Sequence, residues 1–180
     1  MTVIAERDGA VLRPAAETDL PQVDAIAVAC WTPIHASFRQ LLGDDVYLAR
    51  YPTEQTWQES KISQIRSHFA HRPEQCWVVA QGDQVLGFVT FLLDSEQSVG
   101  TIGNNGVAPD SAGQGWGTFM YRHVLQHFRA AGLRLATVGT GLDWGHAPAR
   151  RAYEAVGFGS PVPMVQYWQD LTKLNPGSIP

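Results

Sequence analysis

The stretch that decides the fold of this chain is Val107-Ala108-Pro109-Asp110-Ser111-Ala112-Gly113-Gln114-Gly115-Trp116-Gly117-Thr118. Three of its residues are glycines, which tolerate positive φ and carry no Cβ, so successive backbone N–H groups can point at one anion. The sequence therefore predicts an anion-binding loop between residues 113 and 117.

The segments on either side of this loop support that prediction. Residues 98–107 are short and uncharged, which predicts a strand that enters the loop. Residues 118–131 have apolar side chains at helical spacing, and Gly132 follows as a C′ residue. The loop thus lies at a helix N-terminus, where unpaired N–H groups and the helix dipole favour negative charge. Strand, glycine loop and helix occur in the order that phosphate binding requires.

Two common phosphate-binding motifs do not fit the stretch. A P-loop needs a Gly-Lys pair, which the chain lacks, and a Rossmann fingerprint needs glycine where Thr118 stands. Gly139-Thr140-Gly141 follows a strand-like run, but Trp144 stands where a third glycine would be needed.

A second motif lies downstream, from His146 to Phe158. Pro148 near N1 and Gly157 near C′ predict a two-turn helix between them. One face of this helix carries small residues against which another body could lie closely. That face consists of Ala149, Ala152, Tyr153 and Val156.

The two motifs together resemble those of the GNAT superfamily of N-acetyltransferases. The family's pyrophosphate loop has the usual form Val-x-Pro-x-x-Arg/Gln-Gly-x-Gly-Ile/Leu-Gly, and this chain departs from it at Ala112 and Trp116. The family's later pattern, Asn-x-x-Ala-x-x-x-Tyr-x-x-x-Gly-Phe, has His146 in its Asn position here. The matching residues are Val107, Pro109, Gly113, Gly115, Gly117, Ala149, Tyr153, Gly157 and Phe158.

The resemblance implies that acetyl-CoA is the acyl donor. Ala112 stands where the family has Arg or Gln and so removes one charged contact to the phosphates, but the backbone amides remain available. We expect Trp116 to pack under the helix. The implied cofactor-binding residues are Val107, Ala112, Gly113, Gln114, Gly115, Trp116, Gly117, Thr118, Ala149 and Tyr153.

The chemistry that follows is acyl transfer from a thioester to an amine of a small molecule, peptide or protein. An alkylamine has a pKa of about 10.4 and must lose a proton before it attacks, so a base is useful. Relatives often place a Glu on the strand before the loop, but residues 99–107 contain no carboxylate. The role of base then passes to another residue or to water. His146, near Asp143, is the candidate residue, with a role as a helix-start residue that touches the cofactor as the alternative. His35 could also reach the site, although a surface position is the expectation for it.

Tyr153 is the candidate general acid, because the resemblance places it where the family protonates the departing sulfur. Its alternative role is to pack the helix against the sheet. No metal site is expected, since His123 and His127 stand one turn apart without the Glu of an HExxH motif or a third ligand.

The fold class implied is α+β: a mixed, mostly antiparallel central sheet flanked by helices on both faces. We expect one domain over residues 1–180, with acceptor-side helices at about 31–73 and an acetyl-CoA-binding part at about 98–158. A helix is predicted from Thr18 toward Cys30. Strands are predicted at 10–14, 76–80, 85–93, 98–107, 135–140 and 162–168.

Composition is that of a globular protein, with 44% hydrophobic and 17% charged residues. A formal charge of -4 offers no basic stripe for nucleic acid, and no apolar run is long enough to span a membrane. Cys30 and Cys76 suggest free thiols, and a cytoplasmic protein is the expectation. A homodimer is expected only because the resemblance to the family implies one.

Three kinds of function remain open on the sequence. The first is an acetyltransferase, the second a non-catalytic acyl-CoA-binding module, and the third an interaction domain that has lost its ligand. A thermal-shift titration with acetyl-CoA separates the third from the others, and thiol release with amines separates the first two.

Overall fold

The computed structural model describes residues 2–173, and a six-stranded sheet lies at its centre. The strands follow one another in the order of the chain, and every neighbouring pair is antiparallel except the last, which is parallel. The prediction of a mixed, mostly antiparallel sheet is therefore confirmed. The strands are β1 (Ala5–Arg7), β2 (Ala10–Pro14), β3 (Cys76–Gln81), β4 (Gln84–Asp94), β5 (Val99–Val107) and β6 (Leu135–Val138).

Four helices cover the two faces of this sheet, as predicted. They are α1 (Leu20–Arg50), α2 (Glu54–His71), α3 (Trp116–Ala130) and α4 (Ala147–Glu154). On β3, Val78 packs in a core cluster with residues of α1 and α2, whereas its neighbour Val79 packs in a cluster with residues of α3 and α4. Because successive strand residues face opposite ways, the two clusters lie on opposite sides of the sheet. No helix within residues 2–173 has the length and apolarity needed to cross a bilayer.

Helix α3 lies directly against β5, because β5 has a glycine at the point of contact. A Cβ on Gly100 would come within 2.3 Å of the Phe128 ring, so no larger residue fits there without a shift. Met120, Val124 and Phe128 follow one another along the buried face of α3 at helical spacing. This close packing fixes the helix whose N-terminus carries the glycine loop.

Strand β5 departs from regular pairing on both of its edges. Toward β4, the partner pairs Val89–Asn105 and Phe91–Ile102 leave one residue of β4 opposite two residues of β5, which is a β-bulge. Toward β6, pairing ends at Ile102–Val138, although β5 continues to Val107. The C-terminal part of β5 therefore borders a gap beyond the end of β6.

Two ion pairs hold the N-terminal half together. The guanidinium of Arg13 donates two hydrogen bonds to Asp19, at 2.6 and 2.9 Å, and both side chains are buried. Arg66 of α2 donates two hydrogen bonds to Asp24 of α1, so these two helices are joined through charged groups as well as apolar contact.

The first helix differs from its prediction in both length and start. It begins at Leu20, after a 3-10 turn over Glu17–Asp19, so Thr18 is not its N-cap. It also continues past Pro33, because proline costs one backbone hydrogen bond and the buried residues beyond it keep the helix packed. The regular helix is interrupted only at Gly43, where φ is +74°.

The predicted strand at 162–168 is wrong, because those residues pair with no other strand in the described part of the chain. Its apolar side chains point into solvent, with exposures of 83% for Val162, 85% for Met164, 78% for Val165 and 90% for Tyr167. Pro161 and Pro163 each lack an N–H donor, which weakens any ladder that this segment could form. The other predicted strands are present.

Candidate active site

The glycine loop presents a row of unpaired backbone donors at the start of α3. Gly113 and Gly115 have φ of +76° and +79°, so the left-handed conformation predicted for them is present. Among residues 2–173, none of the N–H groups from Gly113 to Thr118 donates a hydrogen bond. Six unpaired donors at a helix N-terminus form an anion site.

Two details of the loop differ from expectation. The N–H of Ala112 donates to Pro109 O at 3.1 Å, so the unpaired donors begin at residue 113. Gly117 has an ordinary helical backbone and no positive φ. It belongs to the site only because it lies at the start of the helix. Trp116 is buried at 4% exposure, in agreement with the prediction that it packs under the helix.

Arg7 of β1 reaches this loop from the far end of the sequence. Its guanidinium carbon lies 4.1 Å from the centroid of the Trp116 ring, and its Nη2 donates to the carbonyl of Gln114. A Cβ on Gly115 would lie 3.4 Å from Arg7 Nη1. The loop thus has a positive charge beside it, although Ala112 stands where relatives have Arg or Gln. No local motif in the sequence indicates this contact.

Tyr153 lies beside the gap between β5 and β6, at the end of a short hydrogen-bond chain. Tyr121 donates to Asn105 Oδ1 at 2.6 Å, and Asn105 Nδ2 donates to the Tyr153 hydroxyl at 2.9 Å. Asn105 Nδ2 also donates to the carbonyl of Gly103, which fixes the orientation of the amide. The Tyr153 oxygen therefore accepts a hydrogen bond from Asn105, and its hydroxyl lies beside that of Tyr121. No motif in the sequence indicates this role of Asn105.

The environment of Tyr153 keeps its hydroxyl protonated. Burial raises the pKa of this phenol above its ordinary value, and the hydrogen bonds with Asn105 and Tyr121 offset only part of that effect. With 6% exposure, the side chain also packs in the core cluster on the α3 side of the sheet. The packing role that was the alternative for this residue is thus present, together with a protonated hydroxyl.

His146 forms a close pair with Asp143 just before α4. Its Nδ1 lies 2.6 Å from Asp143 Oδ2, which orients the neutral imidazole with Nδ1 as donor and Nε2 as acceptor. Burial disfavours the Asp143 carboxylate, but the neighbouring Ser37 and His146 outweigh burial, so its pKa lies below the ordinary value. Arg150 donates to the carbonyls of Gly141 and Asp143 and so ties α4 to this loop.

His146 lines a cavity of about 230 Å³ that opens between α1 and α2. Most of the wall is aromatic or basic. Asn104, in the bulge of β5, accepts a hydrogen bond from Lys61 of this wall, while the adjacent Asn105 contacts Tyr153. Adjacent residues of the bulge therefore connect the cavity with the Tyr153 hydroxyl. The wall residues are Trp31, Ile34, His35, Phe38, Arg50, Tyr51, Thr56, Trp57, Ser60, Lys61, Gln64 and His146.

His35 is a buried wall residue of this cavity, so the expectation of a surface position is wrong. Its ring stacks on Trp57 with centroids 4.2 Å apart, and its Nδ1 lies 3.1 Å from the Tyr47 hydroxyl. Burial, with the nearby Lys61 and His146, lowers the pKa of His35 to about 4. A group this weakly basic is a poor proton acceptor at neutral pH.

Two further candidate residues border the glycine loop and the core cluster that holds Tyr153. Val107 ends β5 immediately before the loop, and Ala149 is half-buried on α4 against the same core cluster as Tyr153. On α3, His123 contacts the ring of Phe119 and His127 contacts the ring of Trp77 of β3. Within residues 2–173, no group of three or more His, Cys, Asp or Glu side chains could hold a metal ion.

Comparison with known proteins gives one family and many similar structures. A model of the acetyltransferase (GNAT) family matches residues 36–158. No curated protein sequence matches the chain.

Three solved structures show the extent of the similarity. A spermidine N-acetyltransferase from Vibrio cholerae in complex with CoA and spermine is 14% identical, with a TM-score of 0.61 over 91% of this chain and 88% of that chain. A GNAT family acetyltransferase from Brucella melitensis in complex with acetyl-CoA is 19% identical, with a TM-score of 0.52 over 86% and 85% of the two chains.

The third structure is an acetyltransferase from Pyrococcus horikoshii. It is 18% identical, with a TM-score of 0.59 over 87% of this chain, and this chain spans 46% of its length. At these identities the similarity shows the fold alone.

Proposed function

The chain belongs to the acetyltransferase (GNAT) family, and from this premise we propose that it moves the acetyl group of acetyl-CoA to the amine of a small molecule or peptide. The observation that carries the proposal is the row of unpaired N–H groups from Gly113 to Thr118 at the start of α3, together with the protonated Tyr153 hydroxyl of α4, which accepts a hydrogen bond from Asn105 of β5.

The loop would bind the diphosphate of the donor substrate. Its unpaired amides point from a helix N-terminus, where partial positive charge favours an anion. Arg7 would add a positively charged donor at the same place, since its guanidinium lies on Trp116 and beside Gly115, while its Nε pairs with the exposed Asp8 carboxylate at 2.9 Å. Val107, Gln114 and Ala149 complete the proposed binding surface. Ala112 borders the same surface, but its N–H group already donates to Pro109 O.

His146 would act as the general base. Because Asp143 accepts from Nδ1, the imidazole has Nε2 as its proton acceptor, and the residue lines the cavity next to the bulge of β5. The acceptor amine would give its proton to Nε2 as its nitrogen forms the bond to the acetyl carbon. A positioned base of this kind contributes about 10²- to 10⁴-fold to the rate.

Tyr153 would act as the general acid. As the bond between the acetyl carbon and sulfur breaks, the sulfur gains negative charge, and the phenolic proton would move to it or stabilise it by a hydrogen bond. The Asn105 amide holds the phenol oxygen from behind, so the proton can point away from the amide toward the gap.

Thiol release from acetyl-CoA with a panel of amines tests the proposal. We expect release with at least one amine, and a kcat about 10²-fold lower for Tyr153→Phe and for His146→Gln, because each removes a proton-transfer group. Tyr167→Phe is the matched control, since Tyr167 is 90% exposed and belongs to none of the groups assigned to the reaction. Equal kcat values for the three variants and the wild type would contradict the assigned roles.

A non-catalytic acyl-CoA-binding module is the second candidate, because β5 carries no carboxylate that could serve as the base. Its signature would be acetyl-CoA binding without thiol release for every amine. A lack of any stabilisation by acetyl-CoA would instead favour an interaction domain.

We also propose that the protein acts in the cytoplasm as a homodimer. Cys30 and Cys76 are both free thiols, which fits a reducing compartment. Exposed apolar side chains at 162–168 and the unpaired edge of β6 are the surfaces that a second copy would cover.

A further inference from the structure

The cavity beside His146 has an unusual balance of charge. Two side chains of its wall, Arg50 and Lys61, are cationic, and none of its wall residues is an Asp or Glu. Carboxylates in a cavity that receives an amine would pair with it, since an amine arrives as a cation at neutral pH. This wall therefore favours an acceptor that carries negative charge in addition to its amine.

Of the two cationic side chains, Lys61 gives the stronger evidence for an anionic ligand. It is one of only two lysines in the chain, and it is half-buried in the cavity wall. Its ammonium donates to Gln64 Oε1 and Asn104 Oδ1, both at 3.0 Å, and lies 4.5 Å from the centroid of the Trp31 ring. Within residues 2–173 it forms no ion pair with a carboxylate. An ammonium has three donors, so one is left for a ligand.

Burial without a counter-ion is costly for such a group. It lowers the pKa of Lys61 to about 8. An anionic ligand would restore the missing charge partner, and Lys61 is fixed in place by two hydrogen bonds and an aromatic ring. Arg50 lies at the same cavity and also forms no ion pair with a carboxylate among the described residues.

Aromatic side chains make up a large part of the remaining wall. Trp31, Phe38, Tyr51 and Trp57 line the cavity, and Trp57 stacks on the neutral ring of His35. Aromatic walls favour aromatic ligands through offset and edge contacts. A volume of about 230 Å³ is small for a ligand site, so the acceptor is compact.

The same features disfavour a polyamine. Spermine is bound by the Vibrio cholerae structure, but several ammonium groups would meet Lys61 and Arg50 here without a carboxylate to pair with. Like charges at close range repel, and the effect is strongest where water is excluded.

We propose that the acceptor is an aromatic amino acid or a close analogue, with its carboxylate on Lys61 and Arg50 and its amine toward His146. This inference rests on the proposed acetyl transfer, since it names the substrate class of the same site.

The test compares L-phenylalanine with phenethylamine, which lacks only the carboxylate, and with spermidine. Thiol release from acetyl-CoA is measured for each amine. We expect kcat/KM for L-phenylalanine to exceed that for phenethylamine about tenfold or more, since one charge-assisted hydrogen bond contributes on that scale. In Lys61→Met this ratio should fall toward one, mainly through KM, because the variant keeps the apolar stem and loses the charge. Lys173→Met, which removes the other lysine at an exposed site, should keep the ratio.

The outcomes separate this inference from the proposed function. If kcat/KM for phenethylamine or spermidine equals or exceeds that for L-phenylalanine, the inference is overturned, but acetyl transfer still stands. An unchanged ratio in Lys61→Met would also overturn it.

If no amine releases thiol, acetyl transfer fails, and calorimetric titration of the CoA-loaded protein decides the inference. Tighter binding of L-phenylalanine than of phenethylamine would support it. Equal binding, or no binding of either, would overturn it.

Discussion

Gly141 is the residue on which the position of the proposed base depends. A Cβ at this site would lie 2.3 Å from Asp143 Oδ2 and 2.6 Å from His146 Nδ1, between the two groups that form the pair. We expect Gly141→Ala to separate them and to lower kcat/KM more than tenfold, while acetyl-CoA affinity stays the same. Steady-state kinetics and calorimetry measure the two quantities.

The chain offers a matched control for this change two residues away. A Cβ on Gly139 would meet no atom within 4 Å, so Gly139→Ala should behave as the wild type does. Equal loss of activity in both variants would mean that the loop is sensitive to any substitution and that the Asp143–His146 contact is not the cause.

Arg7 is the residue that we expect to strengthen binding of the donor diphosphate. Arg7→Met should raise the Kd of CoA about tenfold, because it removes one charge-assisted contact and keeps the apolar stem over Trp116. Arg134→Met is the control, since this exposed arginine precedes β6 at the opposite end of the sheet from the loop. An unchanged Kd for Arg7→Met would show that the backbone amides bind the diphosphate without it.

Sequence alone could predict those parts of the site that lie within one local pattern. The left-handed Gly113 and Gly115 follow from glycine spacing before a helix, and the burial of Trp116 follows from the same pattern. Arg7 and Lys61 were missed because each meets the site through the folding of distant segments. His35 was misplaced because its burial depends on Trp57, which lies on another helix.

At the scale of elements, the junction between β2 and α1 depends on a buried ion pair. Asp19 ends the 3-10 turn, accepts two hydrogen bonds from Arg13 and accepts another from the N–H of Ala16. We expect Asp19→Asn to lower the free energy of unfolding by about 3 kcal/mol, because it leaves a buried guanidinium without its counter-ion. Urea denaturation measures the change.

The same pair predicts the direction of a pH effect. Burial opposes ionisation of Asp19, but the hydrogen bonds from Arg13 and Ala16 outweigh it, so its pKa is lowered on folding. A lowered carboxyl pKa stabilises the fold above the unfolded value, about 4, and this contribution is lost as the pH falls below it. As the pH falls below about 4, the free energy of unfolding of Asp19→Asn should therefore decrease less than that of the wild type. Asp44→Asn, in the exposed pair with Arg39, is the control and should change nothing.

Most elements were predictable because their periodicity is local, and the exceptions have identifiable causes. Helix α1 passes Pro33 because packing of residues beyond the proline outweighs one missing hydrogen bond. The segment 162–168 has the composition of a strand, but Pro163 within it and Pro161 just before it remove donors that a strand needs. The bulge in β5 leaves no mark in composition, since it arises from the pairing register with β4.

At the scale of the whole molecule, the exposed C-terminal segment predicts association of two copies. Tyr167→Asp should weaken the dimer, because a charge at an apolar contact would be buried on association. Sedimentation velocity over a range of concentrations measures this. A monomer at all concentrations for the wild type would contradict the proposed dimer.

The central claim is that the backbone amides at the start of α3 bind the diphosphate of acetyl-CoA. The most direct measurement is an amide NMR titration of the protein with CoA. We predict that the largest shifts of the backbone N–H signals fall on Gly113, Gln114, Gly115, Gly117 and Thr118, with little change at Gly139. Large shifts elsewhere while these five signals stay in place would contradict the account.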